Sequence, residues 1–573
     1  MNKIDHKKHI ELIQSELIFQ TNEFNKLLKK QAAKMFIDHQ LFLCRFLGFD
    51  EKRGNLLVQF DHRICFPPRK NEHLQCFVSS IQDDNVRNWG GLTYQNLRTN
   101  VAAQFDSKTV FAKYSTESTI VGLSGVSVDD ITRFEKDALV FLAPTDPPLH
   151  YLMNLLNYLK SVNPINNKIL DINIDKPSWK PFPLVIDQHI VAKFQADLIE
   201  KEIILIQGPP GTGKTYLMAQ LCSVLLKADY KILVTALTNR ALIELAEKEH
   251  LKDALDSGLV YKTALSADES KNRKTQGLKA FKSLSQQKPR MLLSSYYTMS
   301  QIASIVMEDV YFDFIIIEEA SQAYLSTIAL TTKLGKKTIV IGDIMQLEPI
   351  FHKEFSNLDE NNYHYMVRGL KALSYFLKDA YQYILTDSYR LLPNAVLATN
   401  SFYNGVLKSK SDTNLPLNFS DFPILDKVFN KFGGTSLLFF NLPDSKSPSF
   451  EASRQIINIL DTLKQFDKNI EIAVLAFYRD TVRLLQKEIY SQCPVTDGIL
   501  IDTIDRIQGL TTHFCIFFIP TEAIPFSVQL NRFNVATSRA SLCTLIISDF
   551  SLTHFTASSP ELKAYFEHVT IVK

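Results

Sequence analysis

Apolar residues recur along the chain in two rhythms, and the change between them divides it. From residue 4 to about 40, Ile10, Ile13, Leu17, Phe24, Leu27 and Leu28 fall at helical spacing and predict one long helix. From about 41 to 145 the pattern turns to short alternating runs between turn residues. Runs at 41–49, 55–60, 75–79, 110–114 and 138–142 predict strands of a small β-barrel. A second amphipathic helix is expected over about 149–162, after Pro147-Pro148.

A stretch rich in Asn, Asp and Pro, 163–183, reads as a connection. Beyond it a helix is expected to about 200, and then wholly apolar runs alternate with helical patterns. These runs include Ile203-Ile204-Leu205-Ile206, Ile232-Leu233-Val234, Met291-Leu292-Leu293 and Phe314-Ile315-Ile316-Ile317. A further set begins near 380, with runs at 472–475, 515–519 and 542–547. Buried-type strands alternating with helices predict an α/β fold, and 573 residues leave room for three or four domains.

Composition narrows the class. Hydrophobic residues at 46% and charged ones at 22% describe an ordinary globular protein. No apolar run reaches bilayer length and no signal-peptide core stands at Met1-Asn2-Lys3-Ile4, so a cytoplasmic protein with no membrane role is expected. Seven scattered cysteines without a Cys-x-x-Cys pair support neither a disulfide framework nor a zinc module. Net charge is only +2, so any nucleic-acid surface must be a local patch. Residues 271–290, with seven Lys or Arg and no acid, read as a solvated helix face or as a phosphate-tracking patch.

The chemistry begins at Gly208-Pro209-Pro210-Gly211-Thr212-Gly213-Lys214-Thr215, between an apolar strand and a helix. Glycines let consecutive N–H groups turn inward on a phosphate at the positive end of the following helix. Lys214 would reach the β- and γ-phosphates and Thr215 would hold Mg²⁺, so the chain binds a nucleoside triphosphate. The strand at 314–317 ends in Glu318-Glu319, one carboxylate for the Mg²⁺ hydration shell and one to polarise the attacking water. Gln346, after another strand, is placed to sense the γ-phosphate. Gln188, some twenty residues before the loop, carries an amide able to pair with adenine N6 and N7. Thr238 and Asn239 at a strand end can touch phosphate and sugar without reading sequence.

Taken together, GPPGTGKT, the EEASQA block, Gly342-Asp343-Ile344-Met345-Gln346-Leu347-Glu348-Pro349, Tyr389-Arg390, Thr503-Ile504-Asp505-Arg506-Ile507-Gln508-Gly509 and Arg532-Phe533-Asn534-Val535-Ala536-Thr537-Ser538-Arg539-Ala540 resemble superfamily 1 helicases. The resemblance runs from Gln188 to about Asp549 and is to the branch of the nonsense-mediated-decay helicase. It implies two tandem RecA-like domains, at 166–378 and 379–573, with ATP in the cleft between them. It also implies that residues 1–165 form a helical stalk and small β-barrel accessory domain. Carried over by position, Gln188 reads adenine, Glu319 is the catalytic base, Gln346 the sensor, and Arg390 and Arg539 are arginine fingers. Tyr478 would pack near the adenine, and Gly509 would belong to the nucleotide site. Thr238, Asn239, Thr298 and Thr503 would touch the nucleic-acid backbone.

This chain departs from the family pattern at three places. Glu318 stands where Asp is usual, Leu510-Thr511-Thr512-His513 follows Gly509 where acids are usual, and Leu391 replaces a usual Met. The expected function is an ATP- and Mg²⁺-dependent helicase or translocase moving 5′ to 3′ on single-stranded DNA or RNA. The alternative is an ATP-switched clamp that grips strands without unwinding.

Overall fold

The computed structural model describes residues 3–68, 72–99, 101–114, 117–125, 134–161, 168–174, 179–187, 189–305, 310–351, 363–411, 417–442, 444, 447–493, 497–556 and 559–572. The chain opens with the helix His6–Lys29, whose N-terminus Asp5 caps by accepting from the Lys8 N–H at 2.9 Å. The long helix expected to about 40 is broken at Lys30, which turns extended, and a short helix Ala32–Ile37 follows. The break lets the Ala32 N–H reach the Leu92 carbonyl at 2.8 Å, tying the stalk to the barrel.

Six antiparallel strands close the barrel in the order Phe42–Asp50, Asn55–Asp61, Ser118–Ser124, Val101–Tyr114, His73–Ser79, Leu139–Ala143. The five expected strands are present. The sixth, Ser118–Ser124, pairs with both Asn55–Asp61 and Val101–Tyr114 and is what closes the cylinder. The strand expected at 110–114 starts nine residues earlier, its first half carrying Gln104, Asp106 and Lys108 and so lacking a clean apolar alternation.

Two parallel sheets follow. The first runs Lys279–Ala280, Val260–Lys262, Met291–Ser295, Ile232–Ala236, Phe312–Ile317, Gly335–Gly342, Ile203–Gln207, Tyr381–Leu385, Phe182–Leu184. The second runs Ile499–Thr503, Ile472–Ala476, Thr512–Ile519, Ala540–Ser548, Gly434–Phe439, Thr570–Ile571. Central strands are buried on both faces by helices, which is why they read as continuous apolar runs.

Two boundaries move. Tyr381–Leu385 pairs in parallel with the strand Ile203–Gln207, and Tyr383 and Leu385 are buried in the same core. A division at 378/379 therefore cuts the first sheet, and the chain leaves that sheet only after Leu385. A division at 165/166 separates Ile169, Leu170 and Ile172 from Ile4 and Leu12, with which they are buried. Ile172–Asn173 also pairs with Lys3–Ile4.

The stalk is built into the first sheet's covering layer. Leu12, Ile13, Leu152, Leu155 and Leu159 share one core with Leu325 and Ile328. The Tyr158 hydroxyl donates to the Ala329 carbonyl at 3.1 Å, and the Asn154 amide donates to the Ser300 hydroxyl at 3.1 Å. Residues 271–290 hold a short 3₁₀ turn, Arg273–Thr275, and the two-residue strand Lys279–Ala280 rather than a helix; Gly277 and Pro289 both oppose one. Among the described residues no helix is long and apolar enough to cross a membrane.

Candidate functional site

The loop 208–213 leaves the C-terminal end of Ile203–Gln207, an interior strand third from one edge of the first sheet. Gly211 and Gly213 sit at φ 74° and 79°, the left-handed region that side chains rarely occupy. A Cβ on Gly211 would lie 2.5 Å from the Arg390 Cβ, so the second half of the chain comes against bare backbone here. Lys214 opens the helix Lys214–Lys227 and donates to the Gly208 carbonyl at 2.5 Å.

Glu318 and Glu319 follow the neighbouring strand Phe312–Ile317. Glu318 is buried, and the nearby Thr215 side chain favours its charged form. Glu319 takes φ 51°, uncommon away from glycine, where the strand turns into Ala320–Gln322. One oxygen of each carboxyl, Oε2, is buried without a partner. Loss of water pushes Glu318 up to about 8, with Glu319 and Glu244 adding to the effect. Loss of water, and then Glu244, pushes Glu319 up to about 7. Burial likewise brings Lys214 down to about 8, opposed by Asp343 and aided by Arg390 and Arg539.

Across the cleft stand two guanidiniums. Arg390 donates to the Ser538 carbonyl at 3.2 Å, and Arg539, fully buried, donates to the Val535 carbonyl at 2.8 Å. Neither has a carboxylate partner among the described residues. Burial lowers Arg390 to about 9 and Arg539 to about 10. Two cations held only by carbonyls and a hydroxyl are an unneutralised charge, which an anion in the cleft would balance.

The cleft has a volume of about 570 Å³ and brings together residues 210–215, Glu318, Glu319, Gln346, Arg390, Gly509 and Arg539. Gly208 and Pro209 flank it at the strand end. At Gly509 (φ 82°) a Cβ would lie 3.7 Å from Glu319 Oε1, so this loop of the second half covers the carboxylates. Thr511 lines the same wall.

A hydrogen-bonded seam joins the halves beside the cleft. Buried Asp343 accepts from Gln346 at 2.8 Å and from the Tyr403 hydroxyl at 2.7 Å. The Asn534 amide donates to Tyr403 at 2.7 Å and to the Met345 carbonyl at 2.8 Å. The Asn531 amide donates to the Gln346 carbonyl at 2.6 Å, and Gln322 donates to Gln508 at 2.7 Å.

Two family models, each described as an AAA domain, match residues 192–352 and 366–551. The chain belongs to the superfamily 1 helicase family. It is 26% identical over 267 residues to an uncharacterized ATP-dependent helicase of Methanocaldococcus jannaschii, a match covering 44% of this chain and 38% of that one. It is 25% identical to the DNA replication ATP-dependent helicase/nuclease of Schizosaccharomyces pombe, covering 61% of this chain and 26% of the relative. To Helicase SEN1 of Saccharomyces cerevisiae it is 28% identical, covering 40% and 11%. The chain thus spans less than two fifths of the length of these curated relatives.

Not every expected residue reaches the cleft. Gln188 lies outside the described residues. Tyr478 does not line the cleft; its ring packs on Phe477 at 4.9 Å and Phe526 at 6.1 Å. The reason is topological. Tyr478 follows the C-terminal end of its strand, whereas Thr511 and Arg539 precede the N-terminal ends of parallel neighbours. The aromatics that do line the cleft are Tyr216, in the first turn of Lys214–Lys227, and Tyr389, 52% exposed, with its N–H on the Gly211 carbonyl at 2.8 Å. The signal for Tyr389 in the sequence was its place beside Arg390. Glu244 and Asp343 were also missed, Glu244 being readable only as the i+4 partner of Arg240, to which it bonds at 2.9 Å.

Of the four strand-end residues, Thr238 and Asn239 are exposed at the start of Asn239–Ala246, the Thr238 hydroxyl accepting from Ala241 at 3.2 Å. Thr298 is half-buried, its hydroxyl within 2.8–3.0 Å of those of Thr263, Ser294 and Ser295. Thr503 is buried at the end of Ile499–Thr503.

Proposed function

We propose that the chain is an ATP-driven motor that moves 5′ to 3′ along a single strand of DNA or RNA. The observation that supports this reading most strongly is the pair of unneutralised arginines from the second half facing Lys214, Glu318 and Glu319 from the first. A triphosphate there would be gripped by both halves, and its hydrolysis would loosen one from the other. In this reading Lys214 and residues 208–213 hold the phosphates, Glu319 takes the proton of the attacking water, and Gln346 senses the γ-phosphate. Gln188 reads the adenine.

Mg²⁺ suits the site because Thr215 and the unpartnered Glu318 oxygen offer oxygen contacts while, among the described residues, no cluster of three ligands cages a metal. When bound it neutralises phosphate charge. The longer Glu318 side chain still lies near enough to Thr215 for that group to favour its charged form. In the same reading Thr238, Asn239, Thr298 and Thr503 contact the strand backbone, and the chain divides into a stalk-and-barrel and two RecA-like halves, the first ending after Leu385.

Arginine substitution tests the reading. Arg390→Ala and Arg539→Ala should each lower ATP turnover by roughly a thousandfold while nucleotide binding falls far less. Turnover within a factor of about three of wild type for both variants would reject the shared cleft as the site of hydrolysis.

A further inference from the structure

We propose that a second cavity, under the N-terminal helix, takes an unstacked base of the bound strand and links that occupancy to the ATP cleft. The inference rests on the strand-motor reading above. The cavity has a volume of about 640 Å³ and is walled by Phe19 and Phe24 of the stalk helix, Tyr151 of the returning helix, and Tyr297, Tyr324 and Ile350. Tyr297 is 38% exposed and Ile350 63%, so an aromatic and an aliphatic surface stand open where the wall meets solvent.

Its position points to the occupant. Leu237 and Tyr297 line the cavity, and they are the chain neighbours of Thr238 and Thr298. The cavity therefore borders the strand-end positions read as backbone contacts. A nucleobase is flat, aromatic and apolar on its faces, and stacking on tyrosine or phenylalanine accepts any base. A cavity of this size accommodates a nucleoside, within the usual range for small-ligand pockets.

The link to the cleft is a single hydrogen bond. Gln322 lines the base cavity and donates to Gln508 at 2.7 Å, and Gln508 lines the ATP cleft. Gln322 ends the short turn that begins right after Glu319, so a base pressing on it acts on the loop that carries the catalytic carboxylate.

Oligonucleotides carrying 2-aminopurine at one position at a time test both parts on the full chain. Wild type should protect the probe from acrylamide at one register only. Tyr297→Ala should reduce that protection about tenfold and Tyr297→Phe should keep it. Gln322→Leu should keep the protection yet lose most of the strand's stimulation of ATP turnover. Strand binding with equal probe accessibility in wild type and Tyr297→Ala at every register would overturn the base cavity. Undiminished stimulation in Gln322→Leu would overturn the link. Protection displaced by an apolar peptide but not by excess strand would reassign the cavity to a protein partner. No strand binding at all would overturn the motor reading, and this inference with it.

Discussion

Glu318 and Glu319 set the pH behaviour of the nucleotide-free protein. Both carboxyls are raised by burial from the ordinary 4.5, to about 8 and about 7. The folded state therefore keeps protons that the unfolded chain releases. Stability from these groups is full below about pH 4.5 and is lost as pH rises through about 7 and about 8. Denaturant unfolding of wild type beside a Glu318→Gln, Glu319→Gln variant should show the variant gaining relative stability between about pH 5 and about pH 9. A pH-independent difference would mean that the carboxyls are charged throughout. At this scale the sequence was most informative where a residue's role depends on its own loop: Lys214, Thr215, Glu318 and Glu319 were legible from strand, turn and helix alone. Tyr478 was not, because its place depends on which edge of the second sheet faces the first, and nothing local encodes that.

Among the elements, the turn at 343–348 and the helix Leu530–Thr537 carry the contact between halves. Tyr403 is their keystone, donating to Asp343 and accepting from Asn534. Tyr403→Phe leaves a buried carboxylate and a buried amide each short of a partner and should cost about 1–3 kcal/mol of stability. Calorimetry checks this, and a variant as stable as wild type would show that the seam contributes nothing. Apolar runs made the central strands readable, since double-sided burial leaves little room for other residues. Ser118–Ser124 was missed because it carries serine, threonine and glycine even at buried positions, so that Ser-Thr-Ile-Val-Gly-Leu-Ser reads much like a loop. Tyr381–Leu385 fell beyond the boundary drawn at 378/379, because which sheet a strand joins is set by the chain's return path rather than by the strand's composition.

For the whole molecule, the stalk is part of the first half's core rather than an appendage. Leu12→Ala, at a fully buried stalk position, should destabilise the ATP-binding half by about 2–5 kcal/mol, read from loss of nucleotide-protected unfolding at lower temperature. An unchanged transition would show the stalk folding separately. The barrel in turn reaches the second half: Arg483 lies 5.4 Å over the Phe42 ring and Lys487 4.9 Å over Phe66. One chain thus closes on itself around the two sheets, and strand binding that shifts either half should be felt in the ATP cleft. ATP turnover measured with and without single-stranded DNA and RNA, with Lys214→Ala as control, tests this most directly. The account predicts turnover stimulated at least about tenfold by a strand and abolished in Lys214→Ala. A wild-type rate that no strand alters would contradict it.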